Sequence, residues 1–169
     1  MLDQIRSQTT TGHSKGKIML NIRKIDHIGI RVSDKHVAMR FYEMLGFKTL
    51  VDVGFEKGHP IMMEHPSGVV LNLLGPANTN TGSNVLMDID EKHPGITHMA
   101  LRVESLGEAK ALFADNGVEI TGSFSFKDMN AIFVRDPDRN VIELDEYPGE
   151  NPASRNDGDN DPGYDGHPA

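Results

Sequence analysis

The sequence holds no cysteine and no tryptophan, and its aromatic residues are three tyrosines and seven phenylalanines. Without cysteine there is no disulfide, no thiolate metal site and no thiol nucleophile, so any bound metal has to be held by His, Asp, Glu, Asn or Gln. No stretch approaches the ~20 consecutive apolar residues that a bilayer-spanning helix needs. The opening residues, MLDQIRSQTTTGHSKGKIML, lack the apolar run of a secretory signal, which makes a cytoplasmic location the expectation. Basic residues are in the minority. The 17 Lys and Arg against 25 Asp and Glu leave a formal charge of −8, and such a surface repels nucleic acid and anionic membranes alike. The expected partner is a small molecule, and the expected assembly a homodimer.

What is present is enough apolar sequence, 37% of 169 residues, for one compact domain or two half-domains sharing a core. Residues 1–22 read as a flexible arm. From Pro148 the chain runs PGENPASRNDGDNDPGYDGHPA, dense in Pro, Gly, Asn and Asp, so 148–169 reads as a disordered acidic tail. Within it Asp157, Asp159 and Asp161 imitate the start of a calcium loop, but Pro162 and Pro168 stand where such a loop needs Gly and a bidentate Glu.

Between these ends lies an internal repeat. At an offset of 71, residues 26–75 align with 97–146 without a gap: His27 meets His98, Arg31 meets Arg102, Gly46 meets Gly117, Pro66 meets Pro137 and Leu73 meets Leu144. Each copy begins with a β-branched strand, 25–32 or 96–103. Asp34 or Ser105 then stands where a helix N-cap belongs, ahead of a helical apolar pattern that ends at Gly46 or Gly117. Further strands are expected over 48–53, 60–64 and 69–74, and again over 118–125, 130–135 and 140–146. The fold class is therefore α+β, with βαβββ modules over 23–75 and 95–147. The connector, 76–94, is mostly loop with a short strand at Val85 to Met87.

Strand side chains alternate between faces, so His27, Gly29 and Arg31 oppose Ile28, Ile30 and Val32, while His98, Ala100 and Arg102 oppose Met99, Leu101 and Val103. The apolar faces should cover the helices and turn both histidines to the other side. In the last strands Glu143 shares a face with Val141 and Asp145, and its counterpart Asn72 with Val70 and Leu74. Either histidine alone would read as a hydrogen-bonded core residue. Equivalent residues in duplicated units point instead to a metal site of His27, His98 and Glu143, with Asn72 beside it. Two imidazoles and a carboxylate without sulfur suit one divalent ion among Fe, Mn, Ni, Co and Zn, with positions left open for substrate.

The strands DHIGIRV and THMALRV, the helix exit FYEMLGF and the ending FVRDPDRNVIEL resemble the vicinal oxygen chelate superfamily of glyoxalases, bleomycin-resistance proteins and extradiol dioxygenases. The resemblance covers about 24–147. It implies two modules forming a cupped mixed sheet around a divalent metal that chelates neighbouring substrate oxygens, with His27, His98 and Glu143 on ligand positions. It also implies a lyase or isomerase similar to glyoxalase I, in which Glu143 or a metal-held hydroxide serves as base. Glyoxalase-type members carry Glu or Gln where this chain has Asn72, and an amide cannot act as a base. Asn72 is then a weak ligand or a substrate hydrogen-bonder. Setting it aside leaves the two-histidine, one-carboxylate triad of a small Fe(II) dioxygenase, the alternative activity. A metal-free drug-sequestering protein is the third reading. Arg31 and Arg102 share the histidine faces and could clamp a substrate anion or pair with strand-end acids. The stretch FVRDPDRN reads as a tight turn. Whether the modules pair within one chain or across a swapped dimer is open at this level.

Overall fold

Both modules start their helices by the same local device. Asp34 and Ser105 have extended backbones and turn their side chains onto the free amides that follow. Asp34 accepts from the N–H groups of His36 and Val37 at 2.8 and 3.0 Å, and Ser105 from that of Glu108 at 3.2 Å. In the computed structural model, which describes residues 20–78 and 82–149, these caps open α1 (Lys35–Met44) and α2 (Leu106–Asp115). Gly46 and Gly117 end them with φ of 94° and 66°, a conformation that costs any residue bearing a Cβ.

Around the helices the chain lays down β1 (Ile28–Arg31), β2 (Lys48–Asp52), β3 (Ile61–Glu64) and β4 (Val70–Leu74), then β5 (His98–Arg102), β6 (Ile120–Phe126), β7 (Met129–Arg135) and β8 (Val141–Glu146). They form two four-stranded mixed sheets of identical order, β1-β4-β3-β2 and β5-β8-β7-β6, in which the first strand runs parallel to the last and the other pairs are antiparallel. The architecture is the expected α+β pair of βαβββ modules. β1 and β5 stand at the ends of their sheets' strand orders.

The apolar strand faces are buried as the alternation requires: Ile30, Val32, Leu71 and Leu73 from the first sheet and Ile132, Val134, Ile142 and Leu144 from the second join one hydrophobic cluster with Phe41, Tyr42 and Phe113 of the helices. Polar bonds also tie the modules together. The Tyr42 hydroxyl donates to Asp136 at 2.8 Å, the Ser33 amide to Asp138 at 2.9 Å, and the Asn140 side chain to the Arg31 carbonyl at 3.3 Å.

Two expectations need correction. The first strands are shorter than 25–32 and 96–103, because β4 and β8 begin at Val70 and Val141 and leave residues 25, 26, 96 and 97 with no strand beside them; Ile25 and Ile96 are exposed. Val85 to Met87 is a turn, not a strand, because the Asn84 side chain captures the amides of Leu86 and Met87 at 2.9 and 3.2 Å. Residues 1–19 of the expected arm and 150–169 of the expected tail, with Asp157, Asp159 and Asp161, lie outside the described residues.

Candidate metal-binding site

The site is best built from β8 outward. Register partners lie on the same side of a sheet, so the pairs Ala100↔Glu143↔Phe133 and His98↔Val141↔Arg135 define two rows across β5, β8 and β7, all facing away from α2. On that face His98 Nε2 lies 2.9 Å from a Glu143 carboxylate oxygen, and its other ring nitrogen lies 2.9 Å from the Thr97 hydroxyl. The Thr97 contact orients the ring and leaves Nε2 for the site. Glu143 is only 8% exposed in its side chain. Burial, and then the neighbouring Asp145 carboxylate, push its pKa up to about 7. Asp145 is raised too, chiefly by burial, with its hydrogen bond to Glu143, and then His98 and Arg102, pulling the other way. Phe133 meets the His98 ring edge-on, with centroids 6.2 Å apart, and stacks on Phe124 at 5.8 Å.

Module 1 contributes a second, looser pair. His27 stands just before β1, exposed, with one ring nitrogen 3.0 Å from Asp26. Asn72 on β4 is paired with Gly29 of β1, and its side-chain oxygen is buried without a partner. His27 and His98 both line a cavity of about 800 Å3 at the β1 and β5 edges, whose wall includes Ile30, Tyr42, Met99 and Ile142. Among the described residues no three His, Asp or Glu side chains gather as a metal-binding group. One chain therefore joins His98 to Glu143 and leaves His27 apart from that pair.

The donor set still suits a cation. A carboxyl raised first by burial and then by a second carboxylate, and the partnerless buried oxygens of Asn72 and Asp145, are groups that a positive charge would satisfy. Of the arginines singled out in the sequence, Arg31 is exposed on β1, and Arg102 lies over the Tyr147 ring at 4.1 Å.

Residues 24–144 match the family model described as the Glyoxalase/Bleomycin resistance protein/Dioxygenase superfamily. The chain belongs to this superfamily. Solved structures agree at the level of fold. A glyoxalase/dioxygenase from Nostoc punctiforme aligns with a TM-score of 0.62 at 21% identity, covering 86% of this chain and 99% of that one. A lactoylglutathione lyase from Agrobacterium tumefaciens aligns at 0.55 and 16% identity, covering 75% and 96%. An antibiotic-binding protein from a Streptomyces species aligns at 0.58 and 21%, covering 76% and 99%. No curated protein matches the chain. Members of the superfamily commonly bind a divalent metal and include lyases, dioxygenases and non-enzymatic binding proteins. No helix among the described residues is long and apolar enough to cross a membrane.

Sequence reasoning missed Phe124, Phe133 and Arg135, which share the Glu143 face. The signal was available: Phe133 and Arg135 are two apart on one strand, the spacing of a common face.

Proposed function

We propose that the protein is a divalent-metal-dependent lyase or isomerase of the glyoxalase I kind, acting on a small molecule with two neighbouring oxygens. The observation that carries this reading is the buried His98–Glu143 pair at 2.9 Å, with the Glu143 carboxyl raised to about 7. His98, Glu143 and His27 would hold the ion, with Asn72 as a weak fourth donor. Because one chain leaves His27 apart from the His98 pair, a homodimer that brings module 1 of one copy to module 2 of the other would complete the set. The bound cation would polarise a substrate carbonyl and acidify the adjacent C–H. Glu143 takes that proton on a carboxylate oxygen and returns it to the neighbouring carbon. Asn72 cannot exchange a proton and holds substrate through its amide. Arg31 and Arg102 add positive charge along the histidine faces.

The Phe124–Phe133 stack favours a second reading, an Fe(II) dioxygenase that places an aromatic ring on that wall. Elemental analysis of protein purified without chelators separates the readings: Ni, Co or Zn supports the lyase or isomerase, Fe the dioxygenase, and no metal a binding protein. His98→Ala should then lose metal retention by on the order of a thousandfold, more than the loss of an outer hydrogen bond produces. Full retention by that variant would remove the proposed site. Turnover of a methylglyoxal–thiol adduct, set against oxygen uptake with catechols, decides between the two enzymes.

A further inference from the structure

The geometry points to Arg135 as the anchor for a carboxylate on the substrate, which makes the substrate class small acids whose paired oxygens sit beside that carboxylate. This deepens the proposed function and rests on it for the position of the paired oxygens. Arg135 is in register with Val141 and through it with His98, so all three share one row of the sheet face that carries Glu143. Two strand spacings separate the Arg135 and His98 backbones by about 10 Å, a gap that an arginine side chain and a three-carbon acid together bridge.

The state of the guanidinium is what singles it out. Its side chain is 6% exposed, and Nη2 pairs with Asp88 at 2.9 Å, yet Nε and Nη1 are buried without any acceptor. Those two nitrogens carry three of the five N–H donors of the group. Leaving a buried donor unpaired costs about 1–3 kcal/mol, and more on a charged group. Arginine's planar fork is matched by a carboxylate. The other cations of the region are engaged elsewhere: Arg102 lies on Tyr147, and Arg139, 38% exposed, shares Asp88 at 3.4 Å. Phe133, which shares the Glu143 row and stands next to Arg135 on the same face of β7, offers an apolar surface for the carbon between the two polar ends.

Asp88 belongs to the connector, and it competes with the substrate carboxylate for the same cation. Nε and Nη1 are buried, so an acid reaches them only when the side chains around them give way. The opposing effects of Arg135 and Asp88 give the test its discriminating power.

The test measures binding of hydroxypyruvate, and of hydroxyacetone, which keeps the paired oxygens and lacks the carboxylate, to the full chain by NMR titration, both as purified and after dialysis against EDTA. Arg135→Met should weaken hydroxypyruvate binding about tenfold or more, and Arg135→Lys, which keeps the charge facing Asp88 but not the fork, by less. Asp88→Asn should strengthen it about threefold by removing the competing charge. Hydroxyacetone binding should be the same in all four proteins. The assignment is overturned if wild-type protein fails to bind hydroxypyruvate, if Arg135→Met binds it as wild type does, or if Asp88→Asn weakens it as Arg135→Met does, the mark of a merely structural pair. Because the EDTA-treated arm contains no metal, the Arg135 result stands apart from metal retention, and either reading can fail without the other.

Discussion

Laid over one another at the offset of 71, the two modules share a backbone plan down to their turns and differ in what they put on the open face. The turn before β4 and the turn before β8 make the same backbone bonds: His65 N–H to Val69 O and Gly68 N–H to His65 O in one, Asp136 N–H to Asn140 O and Arg139 N–H to Asp136 O in the other. Even the side-chain device is shared, since His65 accepts from the Ser67 amide at 3.1 Å and Asp136 from the Asp138 amide at 2.9 Å. On the face turned from the helix, however, Met62, Glu64, Asn72 and Leu74 of module 1 correspond to Phe133, Arg135, Glu143 and Asp145 of module 2. Duplication has preserved the frame while collecting the buried carboxylates, the aromatic stack and the buried cation in one copy. On the proposed reading the site is lopsided: module 2 would carry the reacting group, and module 1 would supply a histidine and a neutral amide.

Matched substitutions break that asymmetry if it is wrong. Glu143→Gln should lower turnover by about 10²- to 10⁴-fold, the usual contribution of a positioned base. Asn72→Ala, the same position in module 1, should cost about tenfold, since it removes one hydrogen bond to substrate or one weak metal ligand. Steady-state kinetics on both variants checks this. Equal losses would mean that the modules share the chemistry and that the lopsided arrangement has no catalytic meaning.

Much of this arrangement is legible in the sequence, for local reasons. The faces of the first and last strands follow from alternation, and the buried Ile30, Val32, Ile142 and Leu144 lie where alternation puts them. The helix starts follow from Asp34 and Ser105. What alternation cannot give is depth. VIELDEY says that Glu143 faces away from α2, but its burial comes from a neighbouring strand 10 residues earlier, where Phe133 pairs with it. Arg135 was hidden because FVRDPDRN has the composition of a turn and because its repeat partner is Glu64, an exposed residue of opposite charge. Val85 to Met87 misled for another reason: three apolar residues suggested a strand, while the preceding Asn84 side chain took their amides.

A smaller effect tests what fastens the modules. Tyr42 of module 1 donates to Asp136 of module 2, whereas the equivalent of Tyr42 in module 2 is Phe113. Tyr42→Phe makes the two alike, and should cost about 1–2 kcal/mol in urea unfolding at neutral pH. The cost is limited because Asp136 keeps the amides of Asp138 and Asn140 and the Asn140 side chain. Burial, and then Asp136 and Asp138, hold the Tyr42 phenol well above its ordinary range. A raised phenol contributes stability that is complete below the unfolded value of about 10 and is lost as pH rises toward the folded value. The gap between wild type and Tyr42→Phe should therefore narrow once the pH passes about 10. A gap constant with pH would show that the phenol is not sealed at the module boundary.

The smallest effect concerns the turns. Gly68 and Arg139 occupy one position of the repeat, with φ of 87° and 67°. In module 2 a residue with a side chain tolerates that conformation because the turn is held from outside: the Arg139 carbonyl accepts from the Asn84 side chain at 3.1 Å, and its guanidinium approaches Asp88. Nothing lies within 4 Å of a Cβ added at Gly68, so Gly68→Ala isolates the backbone strain from any clash. It should cost about 1 kcal/mol, and Gly68→Asn less, because asparagine enters the left-handed region more readily. Urea midpoints of the two variants measure the difference. A neutral Gly68→Ala would mean that the shared backbone bonds, rather than the external ties of Asn84 and Asp88, are enough to hold such a residue there, and the two turns would then be equivalent in energy as well as in shape.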